Sequence, residues 1–150
     1  MVIMRVKNCI MWTICIFALA LTAASVNAQE SWPDMKGVWT MTSSTVVLGA
    51  EKHHPGKVKQ AKPRYREVKF TLRITEQKDR RFSGTFETEH HTEPVIGVFA
   101  NNRKQILIAD SDGFFDATLV DADTFDYCYR HITSKSTVVA CSVMKRERKQ

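Results

Sequence analysis

The chain has 150 residues, 43% of them hydrophobic, and a formal net charge of +6 at pH 7. This length is enough for one domain with one hydrophobic core. The basic residues are not interleaved with aromatic residues, so nucleic acid is not an expected partner.

Residues 1–28 are predicted to form a signal peptide. A short basic start without acidic residues precedes an apolar run from Cys9 to Ala20, and Val26 and Ala28 provide the small side chains of a cleavage site. The apolar run is shorter than the roughly 20 residues of a transmembrane helix, and an uncleaved anchor is the alternative. Cleavage after Ala28 would leave residues 29–150 as a periplasmic or secreted domain without a membrane span.

Alternation of apolar and polar residues with period two dominates the rest of the chain. The clearest example runs from Val68 to Thr75, where Phe70, Leu72 and Ile74 share one face. The polar lead-in before the first strand, which includes Trp32, is expected to be loosely packed. Seven further strands are predicted: Gly37–Leu48, Arg81–His90, Pro94–Ala100, Gln105–Asp110, Phe114–Asp121, Thr124–Thr133 and Ser136–Lys145.

Most connections between these strands are short and contain Asn, Asp or Gly, which suit tight turns. Asp110-Ser111-Asp112-Gly113 imitates the start of a calcium loop, but Phe114 and Phe115 occupy later ligand positions, so we interpret it as a hairpin turn. The exception is the long basic segment 49–65, termed the flap, which is expected to cover one barrel mouth. The pattern predicts an all-β fold, a single eight-stranded antiparallel up-and-down barrel over residues 29–150.

Two cysteines, Cys128 and Cys141, remain after removal of the signal peptide. They are equidistant from the predicted turn at Ser134-Lys135, so they would face each other across the last hairpin. A disulfide is expected, because an even pair of cysteines in an oxidising compartment is normally bridged.

The first strand begins with Gly37-Val38-Trp39, and the last strand ends with basic residues. This combination resembles the calycin superfamily, which contains the lipocalins and the avidins. The resemblance implies that Trp39 has a structural role and packs against Lys145, Arg146 or Arg148. The overall pattern also resembles exported bacterial proteins of uncharacterised function, which imply no activity.

The segment Phe82-Ser83-Gly84-Thr85-Phe86 is similar to an avidin-type strand, with Gly84 marking a bend or a close backbone approach. An avidin has a tyrosine where this chain has Phe86, and an asparagine where it has Met41. Biotin binding is therefore not expected.

The candidate ligand-binding residues are aromatic. Phe125, Tyr127 and Tyr129 alternate along one predicted strand and share a face. If that face points inward, these rings and those of Phe70 and Phe86 would line a cavity for a small apolar or aromatic ligand. The alternative is that the rings simply fill the core.

Two histidine pairs, His53-His54 and His90-His91, could contribute to a metal site if the flap folds down. Neighbouring residues in a strand point to opposite faces, so each pair can supply at most one ligand. His54 and His90, with one of the glutamates that precede the second pair, are the candidates. Solvated histidines at loop edges are the simpler interpretation, and we expect no metal and no cofactor.

The mature sequence lacks a Gly-x-Ser-x-Gly motif, a metalloprotease helix and a glycine-rich phosphate loop, so no enzymatic activity is expected. The sequence instead predicts an exported binding module for a small apolar or aromatic ligand. The alternative is a module that interacts with, or inhibits, an exported protein through the basic flap.

Overall fold

The computed structural model describes residues 31–50, 53 and 62–148, so the predicted signal peptide and most of the flap lie outside the described residues. No helix in the described residues is long and apolar enough to cross a membrane. They form eight β-strands: β1 (Gly37–Gly49), β2 (Arg64–Lys78), β3 (Arg81–Glu87), β4 (Thr92–Phe99), β5 (Gln105–Ala109), β6 (Gly113–Asp121), β7 (Thr124–Ile132) and β8 (Ser136–Arg146).

These strands form a closed antiparallel barrel. Each strand pairs with its neighbours in the sequence, and β8 pairs with β1. The predicted eight-stranded up-and-down barrel is therefore confirmed. Closure leaves no edge of these eight described strands open for pairing with another chain.

Alternation decides which side chains enter the barrel, because successive residues of a strand point to opposite faces. On β2, Phe70, Leu72 and Ile74 are buried inside, while Lys69 and Arg73 are exposed. The same alternation runs along β1 from Trp39 to Gly49. The interior is thus built from the residues that the period-two pattern selects.

Strand boundaries differ from the prediction by up to four residues, and the start of β2 and the end of β3 are among the largest differences. β2 begins at Arg64, ahead of the alternating stretch, because the backbone of residues 64–67 pairs with β1 although their side chains do not alternate. β3 ends at Glu87 rather than at His90, because the Thr88 N–H donates to the His91 carbonyl at 2.8 Å and the chain turns there. In both places backbone hydrogen bonding overrides the side-chain pattern.

A glycine allows two strands to approach closely at the irregular part of β2. The register between β2 and β3 shifts between Ile74 and Glu76, next to Gly84 on β3. A Cβ atom added at Gly84 would lie 1.9 Å from the carbonyl oxygen of Arg73. The bulge therefore requires glycine at this position.

One end of the barrel, termed the closed end, is filled by apolar side chains. Met35, Trp39, Phe99 and Phe125 are each at most 1% exposed. The Trp39 and Phe125 ring centroids are 5.0 Å apart, and the Trp39 indole N–H donates to the Met35 carbonyl at 2.9 Å. The Arg146 guanidinium lies 4.1 Å from the Trp39 ring centroid. The calycin resemblance suggests three basic residues as partners of Trp39, and the structure places Arg146 over its ring.

The expectation that Trp32 would be loosely packed was wrong. Its ring stacks on Phe99 with centroids 6.1 Å apart, and the Arg103 guanidinium lies 4.7 Å from its centroid. The lead-in folds across the closed end because Arg146 donates to the backbone carbonyls of Asp34 and Lys36. A cation held by the barrel thus fixes a segment that lies outside the strands.

A disulfide joins the last two strands. Cys128 and Cys141 are direct register partners on β7 and β8, with Cα atoms 4.1 Å apart. The structure thus supports the predicted pairing.

Candidate functional site

The end of the barrel opposite the closed end, termed the flap end, carries most of the buried polar groups. An up-and-down chain reverses at every strand, so the β1–β2, β3–β4, β5–β6 and β7–β8 connections all lie at this end. The polar residues that these connections and the adjoining strand ends bring together are termed the flap-end cluster: His53, Thr88, His91, Glu93, Asp110, Ser111, Asp112, Tyr129, His131 and Ser136.

Glu93 lies at the centre of this cluster and is only 3% exposed. Its Oε1 lies 2.8 Å from His53 Nε2, and its Oε2 accepts a hydrogen bond from Ser111 Oγ at 2.6 Å. The other ring nitrogen of His53, Nδ1, lies 2.8 Å from Thr88 Oγ1. One carboxylate therefore connects the flap, β4 and the β5–β6 turn.

His53 is a described residue of the flap, and its ring covers the barrel interior. Its ring centroid lies 5.8 Å from those of both Phe70 and Phe86, and 5.0 Å from that of His91. Burial lowers the pKa of His53 below its usual value, although the hydrogen bond to Glu93 acts in the opposite direction. Burial thus favours the neutral imidazole.

Asp110 begins the β5–β6 hairpin turn, as the sequence predicts. Its Oδ1 accepts hydrogen bonds from the backbone N–H groups of Asp112 at 3.0 Å and Gly113 at 2.6 Å. Its Oδ2 is buried and has no hydrogen-bond partner among the described residues. Burial raises the pKa of Asp110, and nearby Glu93 acts in the same direction against the two backbone hydrogen bonds. A buried carboxylate oxygen without a partner is unfavourable and is suited to contact a cation or a donor.

A second polar chain runs along β7 to β8. The Tyr129 hydroxyl lies 2.9 Å from His131 Nδ1 and donates to Asp112 Oδ1 at 3.2 Å, while His131 Nε2 lies 2.8 Å from Ser136 Oγ. A Cβ atom added at Gly113 would lie 2.3 Å from the Tyr129 hydroxyl oxygen, so glycine makes room for this ring. Burial raises the pKa of Tyr129, which keeps the phenol protonated.

Below this cluster, aromatic rings form a continuous layer inside the barrel. Ring centroids are 4.7 Å apart for Phe70 and Phe86, 4.9 Å for Phe86 and Phe115, and 4.5 Å for Phe115 and Tyr129. Tyr127 is 5.8 Å from Phe115 and completes the layer, which is termed the aromatic belt. Its members come from β2, β3, β6 and β7, so the barrel itself positions them.

The structure brings four of the five predicted ligand-binding residues into the aromatic belt: Phe70, Phe86, Tyr127 and Tyr129. It places the fifth, Phe125, at the closed end against Trp39. Phe125 points inward like Tyr127 and Tyr129, but the inward-facing row of β7 extends along the barrel and Phe125 stands at its far end. Phe115 was missed, although its alternation with Gly113 and Ala117 on β6 indicates an inward position.

Of the two histidine pairs, the described residues place one member of each, His53 and His91, at the flap end. His54 lies outside the described residues, and His90 is exposed at the β3–β4 turn. His91 enters the cluster in place of His90, because Thr88 Oγ1 accepts the backbone N–H groups of both residues and turns the chain there. Within the described residues, candidate metal-binding atoms of His53, His91 and Glu93 lie within 4.8 Å of one another. Carboxylate oxygens of Glu93, Asp110 and Asp112 also lie within 4.8 Å of one another.

No protein-family model matches the chain, and no curated protein matches its sequence. Among solved structures, the chain is similar to a redesigned β-barrel, with 8% sequence identity and a TM-score of 0.45. The match covers 75% of this chain and 91% of that barrel.

Proposed function

We propose that this protein is an exported, calycin-like binding module without enzymatic activity, and that it takes a small, partly aromatic or apolar ligand at the flap end. The observation that carries this proposal is the aromatic belt lying directly beneath a cluster of buried polar groups. Small-molecule sites commonly combine apolar walls with a few convergent polar groups in this way.

The contrast between the two barrel ends supports a binding role. The closed end is packed with apolar side chains, among them Met35, Trp39 and Phe125. At the flap end, Glu93, His131 and Ser136 are buried, although burial of polar groups is unfavourable unless they are hydrogen-bonded. Retaining them beside aromatic rings suits recognition of a ligand with both polar and aromatic parts.

His53 supports the flap end as the route of entry. The histidine stands edge-on over Phe70 and Phe86, so the flap covers the belt at this point. Movement of the His53 ring would expose the rings of Phe70 and Phe86 to a ligand. The Cys128–Cys141 disulfide is consistent with export, because disulfides persist in oxidising compartments.

Binding of the apolar probe N-phenyl-1-naphthylamine tests this function. We expect its fluorescence to rise on addition of the mature protein, and Phe86→Leu to weaken the affinity by roughly 2- to 10-fold. The reason is that leucine keeps the apolar volume but loses aromatic contacts of about 0.5–1.5 kcal/mol. The measurement is a fluorescence titration, with circular dichroism confirming that each variant is folded.

The matched control for this titration is Phe114→Leu, the same change one residue before Phe115 on the outer face of β6, where Phe114 is 62% exposed. Its affinity for the probe should equal that of the wild type. Absence of probe binding by the wild type, or an equal loss in both variants, would contradict a ligand site at the belt.

A second candidate function, protein–protein interaction, is favoured by a row of exposed apolar residues outside the barrel. The row follows residues that pair across adjacent strands: Ile96 on β4, Ala109 on β5, Phe114 on β6, Arg130 on β7, Val139 on β8, Val46 on β1 and Tyr65 on β2. Ile96, Phe114, Val139 and Tyr65 in this row are each more than half exposed. Exposed apolar residues of this kind, here interrupted by Arg130, are typical of a contact site, and a second copy of the chain is the simplest occupant.

Sedimentation velocity over a wide concentration range tests that alternative. If the row is a contact surface, the wild type associates reversibly and Phe114→Lys abolishes the association. A wild type that stays monomeric throughout would remove the support for this candidate.

A further inference from the structure

We propose that His53, His91 and Glu93 bind a divalent transition-metal ion of the zinc type, and that the ion holds His53 against the barrel. This site goes beyond the proposed ligand-binding function and does not depend on it. The three residues come from the flap, the β3–β4 turn and β4, so the barrel has to fold before the ligands meet.

The positions of the candidate ligands suit such an ion. Candidate ligand atoms of all three residues lie within 4.8 Å of one another, and His53 Nε2 is 2.8 Å from Glu93 Oε1. Two imidazoles and one carboxylate are a common zinc set, with ligand bonds of about 2.0–2.2 Å. Atoms bound to one tetrahedral ion are therefore roughly 3.3 Å apart, which small side-chain movements would reach.

Two of the three ligands are already oriented by neighbouring hydroxyl groups. Thr88 Oγ1 lies 2.8 Å from His53 Nδ1, which leaves Nε2 directed at Glu93. Ser111 Oγ donates to Glu93 Oε2 at 2.6 Å, which leaves Oε1 directed at His53. Outer contacts of this kind fix the rotation of metal-binding histidines and carboxylates and are a regular part of metal sites.

The surrounding charges also favour a cation. Atoms of Glu93, Asp110 and Asp112 lie within 4.8 Å of one another, so three carboxylates share a small volume. Asp110 Oδ2 is buried without a hydrogen-bond partner among the described residues. A divalent ion beside Glu93 would offset the mutual repulsion of these groups.

The test uses metal-free mature protein titrated with Zn²⁺ by calorimetry and with Co²⁺ by visible absorption. We expect one Zn²⁺ per chain and a Co²⁺ spectrum of a four- or five-coordinate ion. His91→Ala should weaken Zn²⁺ binding at least 100-fold, and Thr88→Val about 10- to 100-fold through loss of the outer contact. Glu93→Gln should weaken Zn²⁺ binding as much as His91→Ala does. If the glutamine variant does not fold, His91→Ala serves as the test on its own.

The control is His90→Ala, the same substitution at the adjacent exposed residue, which should leave Zn²⁺ affinity unchanged. Zn²⁺ should also slow tryptic cleavage within the lysine-rich flap of the wild type and of His90→Ala, but not of His91→Ala. Absence of Zn²⁺ binding by the wild type would overturn the proposal. Equal losses in His90→Ala and His91→Ala would overturn it too. Neither result would affect the probe titration, which is performed without metal.

Discussion

Replacing Trp39 with alanine is expected to lower the free energy of unfolding by about 3–5 kcal/mol, the range for removing a buried large aromatic side chain. The Trp39 ring is fully buried, packs on Phe125 and donates its indole N–H to the Met35 carbonyl. Alanine would leave a cavity and an unpaired carbonyl. Because a domain of this size has only roughly 5–15 kcal/mol of total stability, the loss would be large.

Trp39 also stabilises the closure of the barrel. It pairs in register with Arg146 on β8, whose guanidinium lies over the ring and whose Nε donates to Asp123 Oδ1 at 3.0 Å. The same guanidinium donates to backbone carbonyls of the lead-in and of the β6–β7 turn. Loss of the ring would therefore loosen several segments at once.

Urea unfolding followed by circular dichroism measures this effect. The control is Phe114→Ala, which also removes an aromatic ring but from an exposed position, and which should change stability by less than about 0.5 kcal/mol. Trp32→Ala should fall between the two, because Trp32 is partly buried against Phe99. Equal midpoints for the Trp39 and Phe114 variants would contradict a structural role for Trp39.

Removing the disulfide by the double change Cys128→Ser and Cys141→Ser is expected to cost about 3 kcal/mol. The two cysteines are 13 residues apart, and the chain-entropy model gives this value for a loop of that size. The bridge restricts the hairpin of β7 and β8, and β8 is the strand that closes the barrel on β1. Its loss should therefore lower the stability of the whole barrel.

The measurement compares urea unfolding with and without a reducing agent. The reducing agent should lower the midpoint of the wild type to that of the serine variant and leave the variant unchanged. If reduction did not affect the wild type, the bridge would contribute nothing to stability.

The barrel could be predicted from the sequence because its signal is local. Alternation along each strand selects the inward residues, and short turns restrict neighbours to antiparallel pairing. Strand ends were less predictable, since residues 64–67 pair with β1 although their side chains do not alternate. Trp32 was misjudged because its partners, Phe99 and Arg103, are distant in sequence.

The flap-end cluster depends on contacts between residues far apart in the chain, and these have no local signal. His53 meets Glu93 across 40 residues, so neither residue alone indicates the other. Glu93 itself could have been found, because Val95 is buried on β4 and residues two apart share a face. His91, and not His90, enters the cluster because of the turn at Thr88, and the alternation of residues along the strands does not predict that turn.

The even number of strands has a practical consequence for handling the protein. β1 starts and β8 ends at the closed end, where Glu147 N–H still donates to the Val38 carbonyl at 2.8 Å. A tether attached before β1 or after β8 would therefore leave the barrel on the side away from His53 and Glu93. Immobilisation on a sensor surface through a tether before β1 or after β8 should keep the flap end accessible. Coupling through the lysines of the flap should block it.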